Sequence, residues 1–250
     1  MRLLLISFIF LASCSGENDA KSKVDIFSEQ GILLLGNGTE PSGIDPHIVT
    51  GVPEHKILLA LLEGLVVFNP KNSGVLPGVA TDWTISKDGL TYTFAFNPKA
   101  KWTNGETVKP SHFVYSWERI LSPDLGSQYA DMLYVIKNAE SFHKGQIRDF
   151  NKVGVSAAKN KLVVTLENPT PYFLNILTHY STWPVHPETV EKFGGMISRN
   201  NQWTRVNNFI GNGPFKLDSW EINKSLKVTR NDLYWGNDLN KINGIEFLPI

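Results

Sequence analysis

Residues 79–121 read VATDWTISKDGLTYTFAFNPKAKWTNGETVKPSHFVYSWERIL, and their local signals agree on strand, strand, turn and helix. Leu90, Tyr92, Phe94 and Phe96 alternate with Thr91, Thr93 and Ala95, the period of two expected of a strand with one face in a core. Asn97-Pro98 stops that strand. Asn104-Gly105 is expected to supply the two positive-φ residues of a tight turn, and Ser111 to cap the following helix. Phe113, Val114, Trp117, Ile120 and Leu121 share one helical face, which leaves Ser116, Glu118 and Arg119 to face water. Taken alone, this is a β-hairpin and helix with Trp83, Trp102 and Trp117 as core anchors, an arrangement common to many folds.

The wording is more specific than the periodicity. Ala80-x-x-Trp83, Ser86-x-Asp88-Gly89-x-x-Tyr92-x-Phe94, Ala100-Lys101-Trp102-x-x-Gly105 and Phe113-Val114-Tyr115-Ser116-Trp117-x-Arg119 occur in this order. Together they resemble the signature of the bacterial extracellular solute-binding proteins of family 5, the peptide and oligopeptide receptors of ABC importers. One departure is His112, where the family usually carries an aspartate that the helix dipole would favour. The resemblance implies an α/β, two-lobed periplasmic-binding-protein-like fold (type II, cluster C) with an inserted extra domain. It covers only the N-terminal half of a typical member, so the chain is expected to be truncated, without the second ligand-binding lobe and the C-terminal return.

Composition sets the outer limits. An apolar fraction of 42% over 250 residues suffices for a real core, and 24 basic against 24 acidic residues leave no formal net charge. Nothing in that balance suggests a nucleic-acid partner. The single cysteine, Cys14, excludes an intramolecular disulfide and multi-cysteine metal sites. Arg2, an apolar run over residues 3–12 and then Leu11-Ala12-Ser13-Cys14 look like a bacterial lipobox, the run being shorter than the roughly 20 residues that span a bilayer. Cys14 is then the lipidation site, anchoring the mature chain to a membrane through acyl chains each worth about 0.8 kcal/mol per buried methylene.

Along the chain the expected division is a lipoprotein signal peptide over 1–13, a flexible tether over 14–23, lobe I over 24–62 and again over 187–250, and an inserted domain II over 63–186. Residues 31–35 form a short apolar run expected to be a buried strand, but the glycines that follow do not match a dinucleotide fingerprint. Gly51 and Pro53 bracket an extended segment expected to stay out of a helix, with its backbone groups available. Residues 54–68 read as a helix running into a strand. Gly213-Pro214 enforces a bend before a strand over 215–220, which residues 226–230 can join. Asn231-x-x-Tyr234-Trp235 and a final strand complete the pattern.

By resemblance, Thr50, Gly51 and Val52 line the ligand cleft and pair with the peptide main chain; the family's relative has an acidic residue where Thr50 stands. The plain alternative is a surface loop. Tyr129, in Ser127-Gln128-Tyr129-Ala130, matches a family tyrosine that contacts bound peptide, and Asn212 and Gly213 are placed near the cleft. The implied function is capture of oligopeptides outside the inner membrane and delivery to the membrane subunits of an ABC permease, by a monomeric lipid-anchored protein. The alternatives are the same fold with another ligand (a murein peptide, a nickel complex, haem) or an envelope hydrolase.

Enzyme and metal chemistry have no positive signal. There is no Gly-x-Ser-x-Gly elbow, no His-x-x-x-His and no His-Glu-x-x-His, so no catalytic residue, metal ligand or cofactor is assigned. Asp82 and Asp88 could in principle pair for glycoside hydrolysis, but Asp88 sits in a Ser-Lys-Asp-Gly turn, where an aspartate usually caps its own backbone.

Overall fold

A computed structural model describes residues 21–200 and 202–250. The elements in order are α1 (Lys23–Glu29), β1 (Ile32–Gly36), α2 (Val52–Leu61), β2 (Val66–Phe68), β3 (Val75–Pro77), β4 (Ala80–Ile85), β5 (Thr91–Phe96), α3 (Pro110–Leu121), α4 (Ala139–His143), β6 (Val155–Ala158), β7 (Lys161–Thr165), α5 (Phe173–Ile176), α6 (Pro187–Lys192), β8 (Phe215–Glu221), β9 (Ser225–Arg230) and β10 (Gly244–Leu248).

Two four-stranded sheets organise them. One has the order β1-β10-β9-β8, with β1 parallel to β10 and the other pairs antiparallel. It joins sequence from both ends of the described chain, Ile32 lying opposite Gly244. The other, β4-β5-β7-β6, is antiparallel throughout and comes wholly from between them. The chain therefore leaves the first sheet, builds a second, and returns. The short ribbon β2-β3 lies at the departure.

The alternation in 90–96 is realised in β5, where Tyr92, Phe94 and Phe96 are buried. That face meets α3, with Phe96 edge-on to Phe113 at 5.4 Å. Trp102 and Trp117 are fully buried, whereas Trp83 packs partly buried at the core's margin. Asp88 caps its own turn as expected, accepting from Leu90 N–H at 3.1 Å and from the Ser86 hydroxyl.

Several expectations are corrected. Of Asn104 and Gly105 only Gly105 has a positive φ, +92°; the turn closes through Gly105 N–H to Trp102 O at 2.9 Å, and Asn104 Oδ1 accepts from Glu106 N–H. Lys109, not Ser111, caps α3, because Pro110 already has the dihedral of a first helical residue. His112 reaches back so that its Nδ1 accepts from Lys109 N–H at 3.2 Å and from Trp102 Nε1–H at 2.9 Å. An imidazole thus does locally what the expected aspartate would have done. Ser116 and Arg119 do not face water: both are fully buried, each with a polar partner. Val52-Pro53 does enter a helix, opening α2, since a proline in the first turn removes an N–H that has no intrahelical acceptor. The tether expected to reach residue 23 ends earlier, because Ser22 caps α1 through Asp25 N–H. Finally, β1 is an edge strand with Leu33 exposed rather than a fully buried one.

Candidate functional site

The site is built around residues 45–52, which join β1 to α2. Arg119, from the middle of the second body, holds this loop from below. Its Nη1 donates to Asp45 Oδ1 at 2.9 Å and its Nη2 to Asp45 Oδ2 at 2.6 Å. Burial pushes the Asp45 carboxyl up, but the charge and hydrogen bonds of Arg119 outweigh it and hold the group below its usual range. His47 completes the root: its Nδ1 accepts from Arg119 Nη1 at 2.9 Å and its Nε2–H donates to Trp183 O at 3.0 Å. Burial and the neighbouring guanidinium lower its pKa to about 4, so it is neutral at pH 7. Bonds within the loop brace it further, the Asp45 carbonyl accepting from Ile48 and Val49 N–H and Asp45 Oδ1 from His47 N–H at 3.0 Å.

Above that root the backbone of Thr50 is bare, whereas Gly51 O already accepts from His55 N–H at 3.0 Å. Thr50 is exposed, and neither of its main-chain groups has a hydrogen-bond partner among the described residues. Gly51 follows in extended geometry, φ −155° and ψ 160°, and caps α2 without a side chain. A Cβ there would run into the Glu54 carboxylate, which accepts from Ser42 N–H at 2.7 Å and the Ser42 hydroxyl at 2.8 Å. Thr50 borders a cavity of about 360 Å³ shared with Ser42, Ile48 and Arg199. One helical turn on, His55 borders another of about 520 Å³ with Leu59, Val67, Thr178 and Trp183.

An aromatic cluster backs this stretch. The Tyr180 hydroxyl donates to Val49 O at 3.1 Å. Tyr129 stands 6.0 Å from the Tyr180 ring and 4.8 Å from His179, and His55 meets Tyr180 edge-on at 5.4 Å. Burial lowers the pKa of His55, and burial with the neighbouring His55 lowers that of His179 to about 4. These are neutral aromatic surfaces, suited to contact and hydrogen bonding rather than to charge.

Asn212 and Gly213 lie behind the wall of the cavity of about 520 Å³, which Glu63, Pro214 and Tyr234 also line. Asn212 is buried, with Oδ1 accepting from Glu63 N–H at 3.0 Å and Nδ2 donating to Glu63 O at 2.9 Å. Gly213 N–H donates to Leu61 O, and a Cβ on Gly213 would come within 2.6 Å of the Leu61 carbonyl carbon and the Leu62 nitrogen. Both belong to the crossing where the chain leaves and re-enters the first sheet. The Glu63 carboxylate there accepts from the Tyr234 hydroxyl and from Trp235 Nε1–H at 2.7 Å. Burial raises its pKa from 4.5 to about 7 against the opposing pull of those two bonds. Asn231 finishes the clasp by donating to Gly213 O at 2.9 Å.

The structure therefore brings Thr50, Gly51, Val52 and Tyr129 to one neighbourhood and puts Asn212 and Gly213 in the crossing. Cys14 lies outside the described residues. Sequence reasoning missed His55, His179 and Tyr180, which no spacing connects, and the Asp45–Arg119 pair, although Arg119 closes the last of the four motifs. No helix of the described residues is long and apolar enough to cross a membrane.

Residues 74–250 match the model of the bacterial extracellular solute-binding proteins, family 5 Middle. The chain is 35% identical to the periplasmic oligopeptide-binding protein OppA of Salmonella typhimurium over 249 residues, which is 98% of this chain and 44% of that protein. It is 35% identical to the periplasmic murein peptide-binding protein MppA of Escherichia coli, over 90% of this chain and 41% of that one. Among solved structures, Haemophilus influenzae OppA in complex with the peptide RPPGFSPFR superposes with a TM-score of 0.82 at 35% identity, covering 89% of this chain and 42% of that one. Unliganded, open MppA gives 0.82 at 34%. The chain thus spans less than half the length of these relatives and has the α/β fold of the corresponding part of periplasmic binding proteins. It belongs to the bacterial extracellular solute-binding proteins of family 5.

Proposed function

We propose that this chain forms one side of a cleft that captures oligopeptides outside the inner membrane for an ABC importer. The observation that carries the proposal is the exposed Thr50 backbone, without a hydrogen-bond partner among the described residues and followed by the extended Gly51. An extended peptide can add itself there as a strand, the edge-pairing mode in which affinity comes from main-chain bonds and side-chain pockets stay permissive. Half a dozen such bonds at about 0.5–1.5 kcal/mol each approach the roughly 8 kcal/mol of a micromolar complex. Tyr129 then lies against the bound peptide from the second body, with His179 and Tyr180 behind it. Asn212 and Gly213 act at the crossing, where they hold the two bodies in register around the cleft.

In this reading residues 24–62 and 187–250 make one lobe and 63–186 an inserted domain, a division supported by the pairing of β1 with β10 across the intervening sheet. Because the chain covers 44% of the Salmonella protein, the rest of the cleft comes from the part of the family's length it does not cover. Residues 14–250 alone then bind peptide weakly. The protein performs no bond-making chemistry. Cys14 carries the lipid that holds it at the membrane beside the permease, which palmitate labelling abolished by Cys14→Ser would test. Calorimetry with tri- to pentapeptides of unrelated sequence tests the main claim: affinities within about tenfold of one another fit main-chain capture, and dependence on one side chain does not. Similar identity to MppA favours a second reading, a murein peptide as ligand, which native mass spectrometry after mild purification distinguishes.

A further inference from the structure

Away from the cleft, where the 101–107 hairpin meets the start of α6, three metal-binding side chains converge. His186 Nε2 lies 3.1 Å from Glu106 Oε2 and 3.5 Å from Glu188 Oε2. The three ligand atoms all fall within 4.8 Å of one another. The imidazole is 3% exposed, whereas the Glu106 and Glu188 side chains are 49% and 62% exposed. The group is thus rooted on one side and open to water on the other. Among the described residues no Lys or Arg pairs with either carboxylate, so two negative charges converge on one ring without a cation. Asn104 lies beside them, its Nδ2 donating to Glu106 Oε1 at 2.9 Å and standing 3.4 Å from His186 Nε2.

We propose that Glu106, His186 and Glu188 form a binding site for one divalent transition-metal ion, with zinc the ion best suited to the donor set and water completing its coordination. One imidazole and two carboxylates are borderline and hard donors of the kind zinc accepts. Zinc bonds of about 2.0–2.2 Å in tetrahedral geometry require donor atoms roughly 3.3–3.5 Å apart. The two separations already present, 3.1 and 3.5 Å, bracket that requirement closely. Only the two exposed glutamate side chains need to rotate, since the ring is fixed by its own role at the head of α6.

That role supplies the outer support such sites need. His186 Nδ1 accepts from Thr189 N–H at 3.3 Å and lies 2.8 Å from Thr189 Oγ1. Without metal the ring proton sits on Nε2, shared with Glu106. On binding, the ring proton passes from Nε2 to Nδ1 by exchange with solvent, which frees the Nε2 lone pair for the ion, and Nδ1–H donates to the Thr189 hydroxyl in place of accepting from Thr189 N–H. The ring keeps its one proton, and the ion's two positive charges neutralise both carboxylates. It also fastens the hairpin to α6 across 80 positions of sequence, a separation that hides the site from any spacing pattern.

The test uses the tag-free full chain, stripped with EDTA and titrated with zinc chloride in a calorimeter at pH 7. We expect one zinc per chain and a thermal midpoint that rises with zinc concentration. Glu106→Gln and Glu188→Gln, both at exposed side chains, each weaken binding by about tenfold or more, and the double variant abolishes the one-to-one isotherm. Because His186→Gln also removes a helix cap, the double glutamate variant is the decisive one, with circular dichroism confirming its fold. Cobalt(II) should give a visible d–d band in the parent that the double variant lacks. Absence of zinc binding, or equal zinc affinity and an equal cobalt band in the double variant, would overturn the site.

Discussion

Asp45 and Arg119 are joined by two parallel hydrogen bonds across 74 positions of sequence, and Arg119 is entirely shielded from water. This pair fixes the loop carrying Thr50 to the helix of the other body. A buried guanidinium without its carboxylate has nowhere to place its charge. Asp45→Asn and Arg119→Met should each destabilise the chain by about 3–5 kcal/mol, while the double replacement recovers much of the loss. Urea denaturation of the three variants reads this directly, and additive losses would show that the two side chains act independently.

Acid stability follows from buried imidazoles. His47 and His112 have folded pKa values lowered from 6.5 to about 4, mainly by burial. Between those values the unfolded chain binds a proton that the folded chain refuses, so the stability each neutral ring contributes is complete above pH 6.5 and lost as pH falls towards 4. Each contributes roughly 3 kcal/mol. For His112 the structural reason is plain: a protonated Nδ1 cannot accept from Lys109 and Trp102 at once. NMR titration should find both rings neutral down to about pH 4.

Glu63 works with the opposite sign. Its pKa rises from 4.5 to about 7, so the folded state holds the proton more tightly, and the associated stability is present below pH 4.5 and lost as pH rises through 7. The swing is roughly 3 kcal/mol, less than the two histidines together. Glu63→Gln stays neutral, its one amide oxygen accepting from Trp235 Nε1–H and its NH2 donating to the Tyr234 hydroxyl, which can accept as well as donate. It should be more stable than the parent at pH 8, where Glu63 is ionised, and should lack this part of the pH dependence; equal stability of the two at pH 8 would count against a raised Glu63 pKa.

The crossing itself rests on Asn212. Its amide satisfies both the N–H and the C=O of buried Glu63, so Asn212→Ala leaves two unpartnered backbone groups. The expected cost is about 2–4 kcal/mol, with hydrogen exchange accelerating at Glu63 before the rest of the chain unfolds. Asn212→Asp restores only the acceptor and should fall between the two.

Much of the fold was legible because β5 and α3 obey simple periods. The alternation of Tyr92, Phe94 and Phe96, and the Phe113, Trp117, Ile120 and Leu121 face, are burial patterns that the structure reproduces. Arg119 was misread for a physical reason: helical periodicity assigns charged residues to water and cannot see a carboxylate arriving from residue 45. Capping was misplaced because His112 replaces the side chain that normally signals a helix start. At Thr50 the free backbone was read from the flanking Gly51 and Pro53, whereas a role in a ligand cleft came from resemblance alone, since side-chain pattern does not say what a bare backbone faces. The cluster of His55, Tyr129, His179 and Tyr180 draws on three separate segments and exists only once the two bodies meet.

The most direct measurement of main-chain capture is amide hydrogen exchange at Thr50, Gly51 and Val52, made by NMR on the protein continued to the full length of its relatives. We expect the Thr50 amide to exchange rapidly without ligand, and exchange in the 50–52 segment to slow by at least about tenfold when peptides of unrelated sequence saturate the site. Tight peptide binding that leaves those amides exchanging as before would contradict the account.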